Sequence, residues 1–244
     1  MSTVSSVHPS AADDPFMASL RWLGRQLFTH DVIFDFGSWI YAWMTGNPIW
    51  HANSARLLAD VPADQGALWV LDLGAGPGNS ALAMGAARPT ARLIAFDLAQ
   101  QMLDLAQHNR LQNGWSASRL TAVRGDAMHL PLPEGVVDVV TGHSFLYLLP
   151  DYNAVLSESF RVLRPGGYVA FLEPAVGPVD WRWLWRQRST GLHISLTLWR
   201  FYSWLHRRFA PACLEQALTG AGFHNVTTEV TLGGFGIFGR AQKK

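Results

Sequence analysis

Cysteine is nearly absent. Cys213 stands alone among 244 residues, so the chain can form neither an intramolecular disulfide nor a cysteine metal cluster, which fits a reducing, cytoplasmic compartment. Charge is scarce too: 15% of residues are charged and the formal net charge is +1, against about a quarter charged in an ordinary domain. That balance gives no general reason to expect nucleic acid as a partner. No uncharged apolar run is long enough to span a bilayer, and no ligand spacing such as H-E-x-x-H points to a metal. Residues 1–15 are small and polar and lack a positive start followed by an apolar stretch, which predicts a disordered tail rather than a signal peptide. What the chain does have is 49% apolar residues and eleven tryptophans, enough to core one α/β domain with additions.

The organising stretch is Val70-Leu71-Asp72-Leu73-Gly74-Ala75-Gly76-Pro77-Gly78-Asn79-Ser80. A short apolar run ending in an acid reads as a buried strand, and the residues from Ser80 to Ala87 read as a helix. A sharp strand–helix turn gathers backbone N–H groups at the strand's carboxyl end, and glycines let a ligand approach them. The dinucleotide fingerprint G-x-G-x-x-G fails, because its third glycine would fall on Asn79. The plain alternative is a glycine-rich turn that binds nothing.

Three more strands leave the core with polar residues at their ends. Ala91 to Phe96 ends in Asp97, which lies 19 residues after Gly78, close to the roughly 20 of a ribose-binding acid. Leu120 to Val123 leads to Gly125-Asp126-Ala127, where Asp126 could equally be a turn-former bonding its own backbone. Val136 to Val140 opens onto Thr141-Gly142-His143-Ser144-Phe145-Leu146-Tyr147. Asp151 caps a helix running to about Leu163. Arg164-Pro165-Gly166-Gly167 then turns into a fifth strand, Tyr168 to Leu172, ending at Glu173. The last two strands are Val226 to Leu232 and Phe235 to Phe238.

The D-x-G-x-G-x-G of Asp72 to Gly78, Asp97 with Met102-Leu103, the G-D-A-x-x-L-P of Gly125 to Pro131 and the R-x-L-R-P-G-G of Arg161 to Gly167 resemble the motifs of class I S-adenosylmethionine-dependent methyltransferases. Ala99 stands where that family's D-x-S pattern has serine. Phe34-Asp35, Met44, Gly46, Trp50 and Leu232-Gly233-Gly234 look like the ubiquinone/menaquinone C-methyltransferase group, with Phe34 in place of a tyrosine. The resemblance implies an α/β fold: a Rossmann-like, seven-stranded, mostly parallel sheet with helices on both faces. It implies S-adenosylmethionine as cofactor, held by Asp72, Gly74, Ala75, Gly76, Gly78, Asp97, Leu98, Met102, Asp126, Ala127 and His143. The acid of the first motif would place the methionine amino group, Asp97 would accept the ribose hydroxyls, and Asp126 would face the adenine amino group.

On this reading residues 16–65 form a helical lid, 66–178 the cofactor-binding core, 179–210 a helical cap and 211–244 the closing helix and strands. The cap is unlike the quinone group's pattern. It carries Trp181, Trp183, Trp185, Trp199 and Trp204 with six arginines, and no acid follows Asp180 within it. Leu198, Phe201, Tyr202, Leu205 and Phe209 share helical spacing, with Arg200, Arg207 and Arg208 largely off that face. Such a cap predicts either plain core under solvated arginines or an amphipathic surface in peripheral contact with the inner membrane face.

The expected activity is methyl transfer to a hydrophobic small molecule such as a quinone or lipid-like ring compound. His143, Tyr147 and Glu173 are candidates for a base, His143 first because imidazole titrates near neutrality; a hydrogen-bonding role for His143 is equally open. Tyr41, Trp43, Tyr147, Trp199 and Tyr202 are expected to line the acceptor site. The alternatives are O- or N-methylation of a small soluble metabolite, or cofactor binding without methyl transfer.

Overall fold

The computed structural model describes residues 45–244. Residues 16–44 of the expected helical lid, Tyr41 and Trp43 among them, lie outside the described residues. Helix α1, Pro48–Ala55, starts on Asn47, whose side chain accepts from the backbone N–H groups of Ile49 and Trp50. The chain then alternates: β1 Trp69–Leu73, α2 Asn79–Ala87, β2 Arg92–Asp97, α3 Gln100–Gln112, β3 Leu120–Arg124, β4 Val137–His143, α4 Tyr152–Val162 and β5 Leu163–Pro174. Two helices, α5 Trp181–Arg186 and α6 Thr190–Leu205, precede α7 Pro211–Gly220, β6 His224–Thr231 and β7 Gly236–Gln242.

The seven strands form one sheet in the order β3-β2-β1-β4-β5-β7-β6. All neighbours are parallel except β5–β7 and β6–β7, which are antiparallel. The apolar runs predicted this. Val70, Leu71 and Leu73 of β1, Val139 and Val140 of β4, and Phe171 and Leu172 of β5 are wholly buried, as parallel strands covered on both faces must be. Each such side chain contributes roughly 1.5–3 kcal/mol by burial. Strand β1 lies between β2 and β4, so the connections run in opposite directions from it. Ligands of open α/β sheets bind at that reversal, outside the carboxyl ends of the strands.

Several boundaries differ from the sequence reading. Strand β5 takes in the Arg164–Gly167 turn, because Gly166 N–H donates to Lys243 and Lys243 N–H donates to Gly167. Strand β6 stops before Leu232, whose φ of 53°, with Gly233 and Gly234 also left-handed, makes a tight turn. Strand β7 runs to Gln242 rather than Phe238, since it pairs along both edges. Its arginine is tolerated there because Arg240 lies over the Phe238 ring at 4.1 Å and bonds Glu229 at 3.1 Å.

The cap is two helices, each with its own N-cap: Asp180 accepts from Trp183 N–H and Ser189 from Leu192 N–H. The buried side of α6 is Leu192, Ser195, Leu196, Trp199, Ser203 and Leu205. Leu198 and Phe201 point outward at 49% and 48% exposure, which corrects the face expected from their spacing.

Candidate active site

The glycine corner follows β1 directly. Gly74, Gly76 and Gly78 all have φ between 52° and 77°, a conformation that side chains with a Cβ rarely adopt. A Cβ on Gly74 would also lie 2.2 Å from the Phe145 ring, so that ring covers the corner from the β4 side. Asp72 is fully buried; Ser80 Oγ and Thr141 Oγ1 donate to its two oxygens. Thr141 is the residue paired with Asp72 across β1 and β4, a partner invisible until strand register is known. Burial pushes the Asp72 carboxyl up to about 6, against those two bonds. Asp72 therefore ties β1 to α2 and β4 instead of facing outward.

Asp97, at the end of β2, accepts from Gly76 N–H at 2.8 Å and from Ala99 N–H at 2.9 Å. Burial holds its carboxyl above the usual range. Beside it Leu98 is 66% exposed, an apolar flank at the corner's rim. Met102 is buried. At the end of β3, Asp126 makes the turn its alternative reading described, accepting from Met128 N–H, with His129 Nδ1 at 3.4 Å from its other oxygen. Its side chain stays 43% exposed, while Ala127 is buried.

The ends of β4 and β5 carry the aromatic part of the site. His143 has Nδ1 3.3 Å from Ser54 Oγ, its ring 4.8 Å from that of Trp50, and a buried Nε2 without a hydrogen-bond partner. Burial pushes its pKa down to about 4, so it is neutral near pH 7. Trp50 also meets Trp199 edge-on at 5.2 Å and donates from Nε1 to Ser195 Oγ at 2.8 Å. Trp199 Nε1 is buried without a partner. Next to this group, Tyr147, Tyr202 and His206 meet ring to ring at 4.6–6.3 Å. Burial pushes the Tyr202 phenol up to about 12.

Glu173 is fully buried at the end of β5 and accepts from the backbone N–H groups of Phe145, Leu146 and Tyr147. Fully enclosed, it holds the turn that carries Phe145 and Tyr147 in place. Burial pushes it up to about 7. Sequence reasoning named the stretches that hold Ser80, Thr141 and Phe145 without giving these residues a role, and it missed Ser54, Ser195 and His206.

The corner fits the cofactor that the motifs imply. Left-handed glycines without Cβ atoms, Asp97 bonded into the loop, an exposed Leu98 and a half-exposed Asp126 line one rim from β1 to β3. That is a backbone surface beside a carboxylate and an apolar side chain, the groups that suit a ribose and a base.

Comparison with known proteins agrees. Residues 71–171 match the family described as "Methyltransferase domain". A demethylmenaquinone methyltransferase of Lactobacillus johnsonii is 31% identical over 187 residues, covering 72% of this chain and 76% of that protein. A trans-aconitate 2-methyltransferase of Azoarcus is 36% identical over 118 residues, 48% of this chain and 43% of that protein. For other curated relatives the match spans about half of their length. Among solved structures, the Haemonchus contortus phosphoethanolamine N-methyltransferase 2 in complex with S-adenosyl-L-methionine superposes with a TM-score of 0.67. That pair is 18% identical, with 90% of this chain and 59% of that chain covered. The chain belongs to the class I S-adenosylmethionine-dependent methyltransferases, near the quinone methyltransferase group.

Proposed function

We propose that the protein transfers a methyl group from S-adenosylmethionine to a hydrophobic ring compound of quinone type. The observation that carries this reading is the aromatic wall of Trp50, Tyr147, Trp199 and Tyr202 at the carboxyl ends of β4 and β5. Flat apolar rings bind best against aromatic faces and edges. The buried, unpartnered Nε2 of His143 and Nε1 of Trp199 supply the few polar contacts that orient such a ring. When bound, S-adenosylmethionine supplies an electrophilic methyl on a positively charged sulfur.

The chain's own work is binding and alignment. The loop from Gly74 to Gly78 holds the cofactor by its backbone, Asp97 takes the ribose hydroxyls and Asp126 faces the adenine. Asp72 supports the loop from behind. Residues at the ends of β4 and β5 set the acceptor in line and keep water away. His143, uncharged and with a pKa of about 4, orients the acceptor through Nε2 and is too weak a base to remove its proton. Tyr147 and Tyr202 close the wall, with burial pushing the Tyr202 phenol up to about 12.

A second reading, methylation of a small anionic metabolite, is favoured by Arg207. Among the described residues its Nη1 is buried without a hydrogen-bond partner, while its guanidinium lies 4.6 Å over the Tyr152 ring and its charge acts on Glu173. Calorimetric titration with S-adenosylmethionine and with NAD, followed by labelled-methyl transfer to naphthoquinols and to small carboxylic acids, decides between them. Naphthoquinol methylation is expected. Turnover confined to carboxylic acids selects the second reading, and binding of NAD but not S-adenosylmethionine sinks both.

A further inference from the structure

Among the described residues the cap has an outer face that the candidate site does not use. On α6, Ile194, Leu198 and Phe201 are 40%, 49% and 48% exposed; spaced four and three apart, they form one stripe along the helix. Trp185 of α5, 71% exposed, continues it, with its ring 5.0 Å from that of His193 beside Ile194. Along the chain from α5 to α6 the charged side chains have one sign. Arg182, Arg186 and Arg188 are exposed, and no acid lies between Asp180 and Glu215.

The arginines singled out by sequence serve another end. Arg200 donates to the carbonyls of Ala175 and Gly177, and Arg208 to Ser203 Oγ and the Arg200 carbonyl. The Arg200 bonds fasten the cap to the segment beyond β5, and the Arg208 bonds stay within the cap, at the end of α6.

We propose that the outer face of α5 and α6 docks on an anionic lipid bilayer. Indole and phenyl groups lodge at the depth of the headgroups, where an apolar body and a polar edge are both satisfied. Guanidinium groups flanking them meet lipid phosphates. Among the described residues no helix is long and apolar enough to cross a membrane, so the stripe lies in the interface plane. A second copy of the chain is a poor occupant, because a two-fold contact sets like-charged arginine rims against each other. The surface stands on its own residues and does not depend on which acceptor is methylated.

Co-flotation of the full-length protein with phosphatidylcholine vesicles, with and without phosphatidylglycerol, tests this. Flotation is expected only with the anionic lipid and weakens as salt rises. The double variant Leu198→Glu/Phe201→Glu should lower vesicle partitioning by at least about tenfold. So should the triple variant Arg182→Glu/Arg186→Glu/Arg188→Glu, which alters only exposed side chains and keeps the test standing if the double variant folds poorly. Val230→Glu, at a 54% exposed position on β6, should float like wild type. The proposal is overturned if the wild type stays behind at low salt, or if flotation survives both the double and triple variants. It is equally overturned if the protein is a dimer by light scattering that Leu198→Glu/Phe201→Glu dissociates while vesicles go unbound.

Discussion

A buried imidazole with a pKa near 4 has given up the property for which histidine is chosen as a base. Among the described residues His143 meets Ser54 on one nitrogen and leaves the other buried and without a hydrogen-bond partner, and burial rather than a charged neighbour sets its pKa. His143→Gln should therefore lower kcat/KM while the shape of the pH profile between about pH 5.5 and 8 stays that of wild type. A wild-type acid limb near pH 6.5 that vanishes in the variant would restore His143 as the base. The two acids of the corner should part company in the same way. Asp97 bonds the loop at its rim, so Asp97→Asn should weaken S-adenosylmethionine binding by about 10- to 100-fold, the worth of charged hydrogen bonds at roughly 1.5–3 kcal/mol. Asp72 is buried behind the loop, so Asp72→Asn should cost about 1–3 kcal/mol of folding stability with a smaller change in affinity. Calorimetry and urea denaturation on both variants check this; the reverse pattern would exchange the two roles.

The cap is held over the strand ends by a few specific bonds between elements. Trp50 of α1 donates to Ser195 of α6 and packs on both His143 and Trp199. Trp50→Phe removes that bond, so it should cost about 0.5–1.5 kcal/mol of stability and raise the acceptor KM while leaving cofactor affinity unchanged. An unchanged KM would show that Trp50 only fills space. At this scale the cofactor half was legible in the sequence and the acceptor half was not. Apolar runs ending in Asp72, Asp97 and His143 declare buried strands and their ends, because a strand covered on both faces has little choice of residue. The cap's orientation depends on tertiary contacts between residues far apart in sequence, such as Trp50 with Ser195 and Arg200 with Ala175. Periodicity found the helix, yet it could not tell which apolar stripe faces inward when both sides of α6 are apolar. Ser80 and Thr141 were hidden for the same reason, since a hydroxyl reveals its partner only once the strands are in register.

Among the described residues the strongly displaced ionisable groups are Tyr202 on α6 and, at the carboxyl ends of β1, β4 and β5, Asp72, His143 and Glu173. Most other buried side chains of the sheet are apolar, so much of the burial cost at the site falls on Asp72, His143 and Glu173. Their signs differ. Glu173 rises from 4.5 to about 7 on folding, so the folded protein binds that proton more tightly than the unfolded chain. Its contribution is fully present below pH 4.5 and is lost as pH climbs to 7. Asp72 behaves alike between 3.8 and about 6. His143 falls from 6.5 to about 4, so its contribution is present above 6.5 and is lost as pH drops toward 4. The Glu173 component can be isolated by comparison with Glu173→Gln, which cannot ionise. The variant should begin less stable at pH 4.5, because an amide cannot accept from Phe145, Leu146 and Tyr147 with both of its heteroatoms. Wild type should then lose about 3 kcal/mol relative to the variant by pH 7, at 1.36 kcal/mol for each unit of displacement. Urea denaturation at a series of pH values measures the gap between the two. Curves that run parallel from pH 4.5 to 7 would mean that Glu173 is ionised throughout, with its three backbone N–H bonds outweighing the cost of burial.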